Sequence, residues 1–197
     1  MNIKLKTAPA QYPITLGQAK GHLNIDLDNT ADDDYIKTLM STATQTVEQF
    51  LYRRLITQTW YQYLQGWPLG DRVVMPFGNL ESVTSIKYKD SDGDESTFSS
   101  DDYIVNADSD PGEIVLGYGK SWPSTTFYPS NPVTIEFVCG YGADGEDVED
   151  NILHAIKLTI SDLYENRETV VINGYSAQLI ELPTVRNLLI PFKIYEF

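Results

Sequence analysis

The sequence has little of what catalytic or cross-linked proteins commonly use: one cysteine, Cys139, and two histidines in 197 residues. A single cysteine excludes an internal disulfide framework and any zinc site built on several cysteines. No apolar run approaches the roughly 20 residues that a membrane-spanning helix needs. The first residues hold two lysines but no continuous apolar stretch, so we expect no cleaved signal peptide. These absences predict a soluble intracellular protein that works through its surfaces.

Positive charge is also scarce. The chain carries 14 Lys and Arg against 28 Asp and Glu, a formal net charge of −14. Such acidity disfavours wrapping around nucleic acid, because the phosphate backbone would be repelled rather than neutralised. Hydrophobic residues make up 42% and charged residues 21%, which is ordinary globular usage and argues against wholesale disorder. The length suits one domain with an appendage, or two small domains.

Charge and hydrophobic periodicity divide the chain into three parts. Residues 1–55 are balanced, with six acids and six bases. Residues 56–145 carry thirteen acids and four bases, a net charge of −9, and hold all three tryptophans. Residues 146–197 carry nine acids and four bases, a net charge of −5. We therefore predict that the middle part has a different kind of structure from its flanks.

Two helices are predicted in the first part. Thr15 and Gln18 form a capping-box pattern, which starts a short helix that we expect to end near Gly21. Three aspartates at 32–34 favour the start of a second helix of about five turns, and the arginines at 53–54 suit its C-terminal end. Its apolar residues recur at three- and four-residue steps and are Tyr35, Ile36, Leu39, Met40, Ala43, Val47, Phe50 and Leu51.

From Ile56 to Tyr141 the hydrophobic period changes to two. Five to seven short apolar runs are separated by turns rich in Gly, Pro, Asn and Asp. This pattern is typical of an antiparallel sheet, a small barrel or a small sandwich. Strands do not alternate with helical segments here, so a parallel sheet is not expected.

Helical periodicity returns at 147–167, and a short final helix is predicted from Pro183 to Leu189. The intervening residues 168–182 look irregular, with a turn at residues 173–174. Helices at both ends of the chain around a β segment predict an α+β fold. In it, residues 1–55 and 146–197 form one helical bundle, and residues 56–145 form an antiparallel β insertion, either a small barrel or a sandwich.

The chemical motifs are weak. The run Asp90-Ser91-Asp92-Gly93-Asp94-Glu95 has alternate carboxylates that suit Ca²⁺, but the glycine stands fourth rather than sixth as in an EF-hand loop. An Asp-Gly turn between two strands explains these residues without a metal. His22 and His154 have no neighbouring nucleophile, and Cys139 is expected to be a buried hydrophobe. We predict no catalytic residue, no metal and no cofactor.

Two sets of apolar residues are candidates for partner contacts. Aromatic residues in loop-like, proline-rich stretches could contact a partner or stack on sugars, although packing within the β part explains them equally well. They are Trp67, Trp122, Phe127 and Tyr128. The end of the chain is too apolar for an ordinary terminus and suggests an interface. Its residues are Leu189, Ile190, Pro191, Phe192, Tyr195 and Phe197.

Five segments carry a family resemblance that spans nearly the whole chain. They are TLGQAKGHL at 15–23, LITQTW at 55–60, LESVTSIKY at 80–88, LYENRE at 163–168 and LLIPF at 188–192. In this order and spacing they resemble the head–tail connector proteins of long-tailed bacteriophages. The long stretch at 168–182 and the high acidity depart from the family's pattern.

The resemblance implies a head-completion adaptor of the virion neck, made in the host cytoplasm, with no catalysis. Such proteins form a homo-oligomeric ring beneath the portal protein and support the stopper or tail-completion protein. DNA passes through the ring without specific binding, which an acidic lumen would favour. The resemblance places the apolar C-terminal residues against the portal, where they would become ordered on binding. No membrane is involved.

Two other classes of function stay open at the level of sequence. A carbohydrate-binding β module on a virion or secreted surface protein would use Trp67 or Trp122 to stack on sugars. A hydrolase that uses paired carboxylates would depend on one or two particular acids. Since 28 acids produce many accidental pairs, solvated surface charge is the simpler explanation of the carboxylates.

Overall fold

The chain folds into two compact units, each built from two segments of the sequence. The computed structural model describes residues 2–167, 171–172, 175–176 and 183–195. The β unit comprises Met1–Pro9 and Thr57–Tyr141, and the helical unit comprises Ala10–Ile56 and Gly142–Phe197. The fold is mixed helix and antiparallel sheet, which agrees with the predicted α+β class.

The described residues of the β unit form eight strands in two antiparallel sheets. They are β1 (Asn2–Thr7), β2 (Gln58–Leu64), β3 (Arg72–Val74), β4 (Leu80–Lys89), β5 (Glu95–Phe98), β6 (Tyr103–Asn106), β7 (Glu113–Leu116) and β8 (Val133–Cys139). One sheet has the order β1-β2-β8-β4-β5 and the other the order β3-β7-β6. Seven of these strands lie within the stretch that the sequence predicted to be β structure.

The core of the β unit is shared by both sheets. Strand β8 alternates buried and half-buried residues, so that Val133, Ile135, Phe137 and Cys139 are all 0% exposed on one face. Ile114 of the other sheet belongs to the same cluster. Within the described residues both sheets keep two edge strands and neither closes, so the predicted alternative of a small barrel is wrong. Cys139 is buried, as expected.

Strand β1 was not predicted. The sequence analysis grouped residues 1–55 as helical, but Asn2–Thr7 pairs antiparallel with β2, with Ile3 opposite Gln62. Only Ile3 and Leu5 mark the period of two, because this edge strand is largely exposed and carries two lysines. The ion pair between Lys6 and Glu136, at 2.6 Å, is made across the sheet. Pairing with distant residues, rather than local pattern, makes this segment a strand.

The described part of the helical unit has four helices. They are α1 (Leu16–His22), α2 (Asp33–Leu51), α3 (Asp150–Glu165) and α4 (Pro183–Leu189). The predicted capping box is present, since Thr15 Oγ1 accepts from Gln18 N at 3.2 Å and Gln18 Oε1 accepts from Thr15 N at 2.9 Å. Helix α1 continues one residue beyond Gly21. Helix α3 begins three residues later than predicted, because residues 145–147 form a separate 3₁₀ turn.

Helices from both ends of the chain pack together in this unit. Helix α2 contacts α3, α3 contacts α4, and α1 contacts both α2 and α3. Polar contacts join the start of α2 to the end of α3. Tyr164 donates its hydroxyl to Asp32 at 2.7 Å, and Tyr35 donates to the carbonyl of Leu163 at 3.3 Å. The guanidinium of Arg167 lies 4.6 Å from the centre of the Tyr35 ring.

Lys20 of α1 is a buried cation that holds the connection between α1 and α2. Lys20 is only 2% exposed. The ammonium donates to the carbonyls of Leu27 at 3.0 Å and Asn29 at 2.8 Å, and lies 2.5 Å from Asp33 Oδ1. This burial carries no signal in the sequence, because a lysine beside an apolar helix face is ordinarily exposed.

Between α3 and α4 two short strands, β9 (Val171–Ile172) and β10 (Tyr175–Ser176), pair antiparallel. The turn predicted at residues 173–174 lies outside the described residues. A search of the described helices finds none with the length and apolar character needed to cross a bilayer.

Candidate functional site

The C-terminal segment, residues 190–195, is folded onto the helical unit. Leu189 ends α4 and is fully buried, and a 3₁₀ turn at Ile190–Phe192 redirects the chain. Ile190 is 37% exposed, Pro191 is exposed and Phe192 is half-buried. The predicted site residue Leu189 is therefore part of the core, and Phe197 lies outside the described residues.

Contacts with the end of α2 hold this segment. The amide of Ile194 donates to the carbonyl of Leu51 at 3.0 Å, and Arg53 Nε donates to the carbonyl of Phe192 at 2.5 Å. Leu51 is the last residue of α2, where carbonyls lack a partner within the helix. The ammonium of Lys193 lies 4.5 Å from the centre of the Phe50 ring, which also places a cation at the negative end of the helix dipole.

The outer side of the C-terminal segment is apolar and aromatic. Tyr195 is 58% exposed, and Lys193 lies 5.6 Å from the centre of its ring. Together with Ile190 and Pro191, Tyr195 gives the segment an exposed apolar side, whereas Leu189 anchors it from within. The contact role predicted for these residues stays a prediction. Sequence reasoning missed Arg53, because an arginine at a helix end is explained by the dipole alone.

Three of the four predicted contact aromatics pack on the core of the β unit. Trp67 and Trp122 stack with ring centres 4.9 Å apart and planes at 9°. Phe127 lies edge-on to Trp67 at 6.3 Å. All three are half-buried, and Trp122 Nε1 donates to the carbonyl of Gly70 at 2.8 Å. Tyr128 alone of the four is exposed, at 44%. Internal packing accounts for the tryptophans, and their role in partner contacts stays a prediction.

The acidic hairpin between β4 and β5 is explained by its backbone. Asp90 Oδ1 accepts from the amides of Asp92 and Asp94, both at 3.0 Å. Gly93 has a φ of +90°, which favours glycine, and donates to the carbonyl of Asp90 at 3.1 Å. This is the Asp-Gly turn that the sequence predicted. Across the described part of the chain no three His, Cys, Asp or Glu side chains cluster in a way that could hold a metal ion.

The two histidines, far apart in sequence, meet in the helical unit. The rings of His22 in α1 and His154 in α3 have centres 6.2 Å apart at an interplanar angle of 87°. Partial burial lowers the pKa of His22 below its ordinary 6.5, and the nearby His154 and Lys157 lower it further. The pair carries no sequence signal, because only the packing of α1 against α3 brings the residues together.

Comparisons with solved structures show the same fold in virion necks. A chain in the neck of an empty gene transfer agent particle, computed with C6 symmetry, matches with a TM-score of 0.82 at 19% identity. A chain from the native gene transfer agent virion matches with a TM-score of 0.78 at 19% identity, and a chain from the native neck computed with C12 symmetry matches with a TM-score of 0.73 at 20% identity. Each match covers 100% of this chain and 97% of the other. No curated protein matches the sequence at a significant level.

The sequence itself matches a family model, described as phage gp6-like head-tail connector protein, over residues 13–114. The match covers more than half of the chain, reaching from the start of the helical unit to strand β7 of the β unit. It includes three of the five segments that carried the resemblance. The likeness in fold to the neck chain extends over the whole length of this chain. This chain therefore belongs to the phage gp6-like head-tail connector family, and its role is that of a structural head–tail connector.

Proposed function

We propose that this connector assembles as a closed ring beneath the portal and joins the DNA-filled head to the stopper or tail. The observation that carries the proposal is the family match, together with alignment of the whole chain to proteins of necks solved with C6 and C12 symmetry. A ring needs heterologous contacts that close by rotation. The long helices α2 and α3, which pack against each other, are the proposed source of these contacts.

The net charge of −14 supports a passive role toward DNA. An acidic lumen repels phosphate, so the duplex slides instead of being held. Four of the cations are already in ion pairs with carboxylates, which leaves them less able to attract phosphate. They are Lys6, Arg72, Lys87 and Lys120. We propose that DNA passes through the ring without specific binding, and that the protein has no catalytic activity.

We propose that the C-terminal segment contacts the portal. Its support is the geometry of residues 190–195, which are held on α2 with Ile190, Pro191 and Tyr195 facing outward. A surface that is already ordered loses less conformational entropy on binding than a free tail. Aromatic residues with a polar tip, such as Tyr195, are common anchors of protein interfaces.

The runner-up function, a carbohydrate-binding module, receives no support from the family match. It requires tryptophan faces that are open to a sugar. Trp67 and Trp122 instead cover each other's faces and are half-buried.

A binding assay with the purified portal protein of the same phage tests the contact. Replacing Ile190 and Tyr195 by serine removes exposed apolar surface and should weaken portal binding by at least about tenfold, which corresponds to about 1.4 kcal/mol. The backbone bonds of the segment are kept, so thermal unfolding should change little. Deletion of Pro191–Phe197 should abolish binding.

Ile104→Ser is the matched control, because Ile104 is 61% exposed but lies in the β unit. Portal binding by this variant should equal that of the wild type. Equal binding by the Ile190 and Tyr195 variant would contradict the assigned contact. Negative-stain images of the connector on the portal test the ring separately, and an open or single-copy assembly would contradict it.

A further inference from the structure

The five-stranded sheet of the β unit ends in two open edge strands of opposite charge. Strand β1, at one edge, contains Lys4 and Lys6 and no acid, whereas strand β5, at the other edge, begins with Glu95 directly after Asp94. Every residue of β1 except Ile3 is exposed, and so are the first three residues of β5. Among the described residues no further strand pairs with either edge. Both edges are therefore available to another chain.

A row of alternating charges crosses the sheet from one edge to the other, on the face opposite the buried residues of β8. The ammonium of Lys6 in β1 lies 2.6 Å from Glu136 in β8, and the ammonium of Lys87 in β4 lies 2.8 Å from Glu95 in β5. The register of β4 with β8 makes Lys87 and Glu136 diagonal neighbours. The row therefore ends with a cation at the β1 edge and with an anion at the β5 edge.

The hydrogen bonds of the hairpin show which backbone groups of β5 point outward. In an antiparallel pair, alternate residues turn their N–H and C=O toward the partner strand, and the residues between them turn these groups away. The amide of Asp90 donates to the carbonyl of Asp94 at 3.2 Å. In the register of β4 with β5, Ser96 therefore turns toward β4, and Glu95 and Thr97 turn outward.

The same reasoning applies to β1. The amide of Lys89 donates to the carbonyl of Pro132 at 2.8 Å, so the even-numbered residues of β8 turn toward β4 and its odd-numbered residues turn toward β2. Along the register of β2 with β8 and with β1, the residues of β1 that turn outward are Ile3 and Leu5.

The two edges match each other in direction, register and charge. Strands β1 and β5 run in the same direction because four antiparallel pairings separate them, so β1 of one copy fits beside β5 of the next as a parallel pair. If the amide of Leu5 donates to the carbonyl of Glu95 and the amide of Thr97 donates to the carbonyl of Leu5, Lys4 stands opposite Glu95. Both side chains then lie on the face that carries the charge row, and the alternation continues from copy to copy.

Pairing of either edge with the same edge of a second copy is disfavoured. Two β1 strands would set lysines beside lysines, and two β5 strands would set acids beside acids. The contact that the charges favour is therefore heterologous, and heterologous contacts that repeat by rotation close into rings.

We propose that β1 of one copy adds to the β5 edge of the next copy, so that the five-stranded sheet continues through neighbouring subunits. This inference rests on the proposed ring and adds a contact between β units to the contact proposed for α2 and α3. Main-chain hydrogen bonds supply the attachment, and the pairing of Lys4 with Glu95 selects the correct edge.

The test measures how much full-length connector is needed to form rings on the purified portal of the same phage, counted in negative-stain images. Lys4→Glu places a carboxylate opposite Glu95 and should raise the connector concentration at half-maximal ring occupancy by about tenfold. Exchange of the two charges, Lys4→Glu with Glu95→Lys, should restore most of the occupancy. The matched control, Lys4→Glu with Asp26→Lys, has the same net charge but places the new cation at an exposed site of the helical unit, and should not restore it.

The backbone part is tested with Thr97→Pro, which removes an outward N–H and leaves the bonds between β4 and β5 in place. Ring occupancy should again require about tenfold more connector. Val74→Pro is the matched control: the amide of Met75 donates to the carbonyl of Gly112, so Val74 also turns outward, but at the edge of the other sheet. This control should assemble as the wild type does. Thermal unfolding checks each isolated variant, and a Thr97→Pro variant that unfolds early leaves the decision to the charge exchange.

Wild-type rings that form equally well with Lys4→Glu and with Thr97→Pro would overturn the contact between β units and leave the proposed ring intact. A charge exchange that restores no more assembly than its matched control would also overturn the contact. Absence of any ring with the wild-type connector would overturn both proposals.

Discussion

Lys20 shows how one side chain can organise a connection between helices. Its ammonium is almost inaccessible to water and is satisfied by two loop carbonyls and by Asp33. A buried ion pair with additional hydrogen bonds contributes mainly by what its loss would leave unpaired. The residues that it holds, Leu27 and Asn29, lie in the connection that leads into α2.

We predict that Lys20→Met lowers the free energy of unfolding by about 3 kcal/mol, because Asp33 loses its ion-pair partner and two carbonyls lose their donor. Urea denaturation measures the change. Lys37→Met is the control, since Lys37 pairs with Asp34 at an exposed site and its loss should change stability by less than about 0.5 kcal/mol. Similar effects of the two substitutions would contradict the structural role of Lys20.

His22 predicts a pH dependence of stability. Its pKa is lowered in the folded state, so the unfolded chain binds a proton more readily as the pH falls below 6.5. The contribution of His22 to the free energy of unfolding is therefore fully present above pH 6.5, and it is lost as the pH falls through the pKa of His22 in the folded state. His22→Gln should flatten the decrease in the free energy of unfolding between about pH 7 and about pH 5. A slope equal to that of the wild type would exclude His22 as its source.

At the scale of elements, the helices followed from local pattern and the edge strand did not. The capping box at Thr15 and the apolar steps of α2 are decided by residues three and four apart, which the sequence displays directly. Strand β1 depends on hydrogen bonds with β2, more than fifty residues away. The placement of residues 190–195 on α2 likewise depends on contacts with Phe50, Leu51 and Arg53.

Two glycines test how closely elements pack. A Cβ on Gly145 would overlap the carbonyl oxygen of Pro13, where the two segments of the helical unit meet. Gly145→Ala should therefore lower the free energy of unfolding by about 2 kcal/mol.

In the described structure a Cβ on Gly21 meets no atom within 4 Å, so Gly21→Ala should raise the free energy of unfolding by about 0.5 to 1 kcal/mol through helix propensity. Urea denaturation of both variants measures the difference, and a neutral Gly145→Ala would contradict the close packing.

At the scale of the whole molecule, the net charge of −14 supports the proposed free passage of DNA. With a net charge of −14, the protein should not retard duplex DNA in a gel at about 0.1 M salt. Electrophoresis over a range of protein concentrations checks this. A retarded band that weakens as salt is raised would show phosphate binding and would contradict free passage.

Local pattern along the chain was sufficient for the mixed fold class, the helices of the described residues and the acidic hairpin, because these depend on residue identity and on neighbours along the chain. The family was indicated by the resemblance of five segments and confirmed by the family match. The tertiary structure decided which aromatics are internal, since Trp67 and Trp122 find each other across more than fifty residues. It also decided that Leu189 is core while Tyr195 is exposed. Burial and strand register come from contacts between distant segments, and no local pattern encodes them.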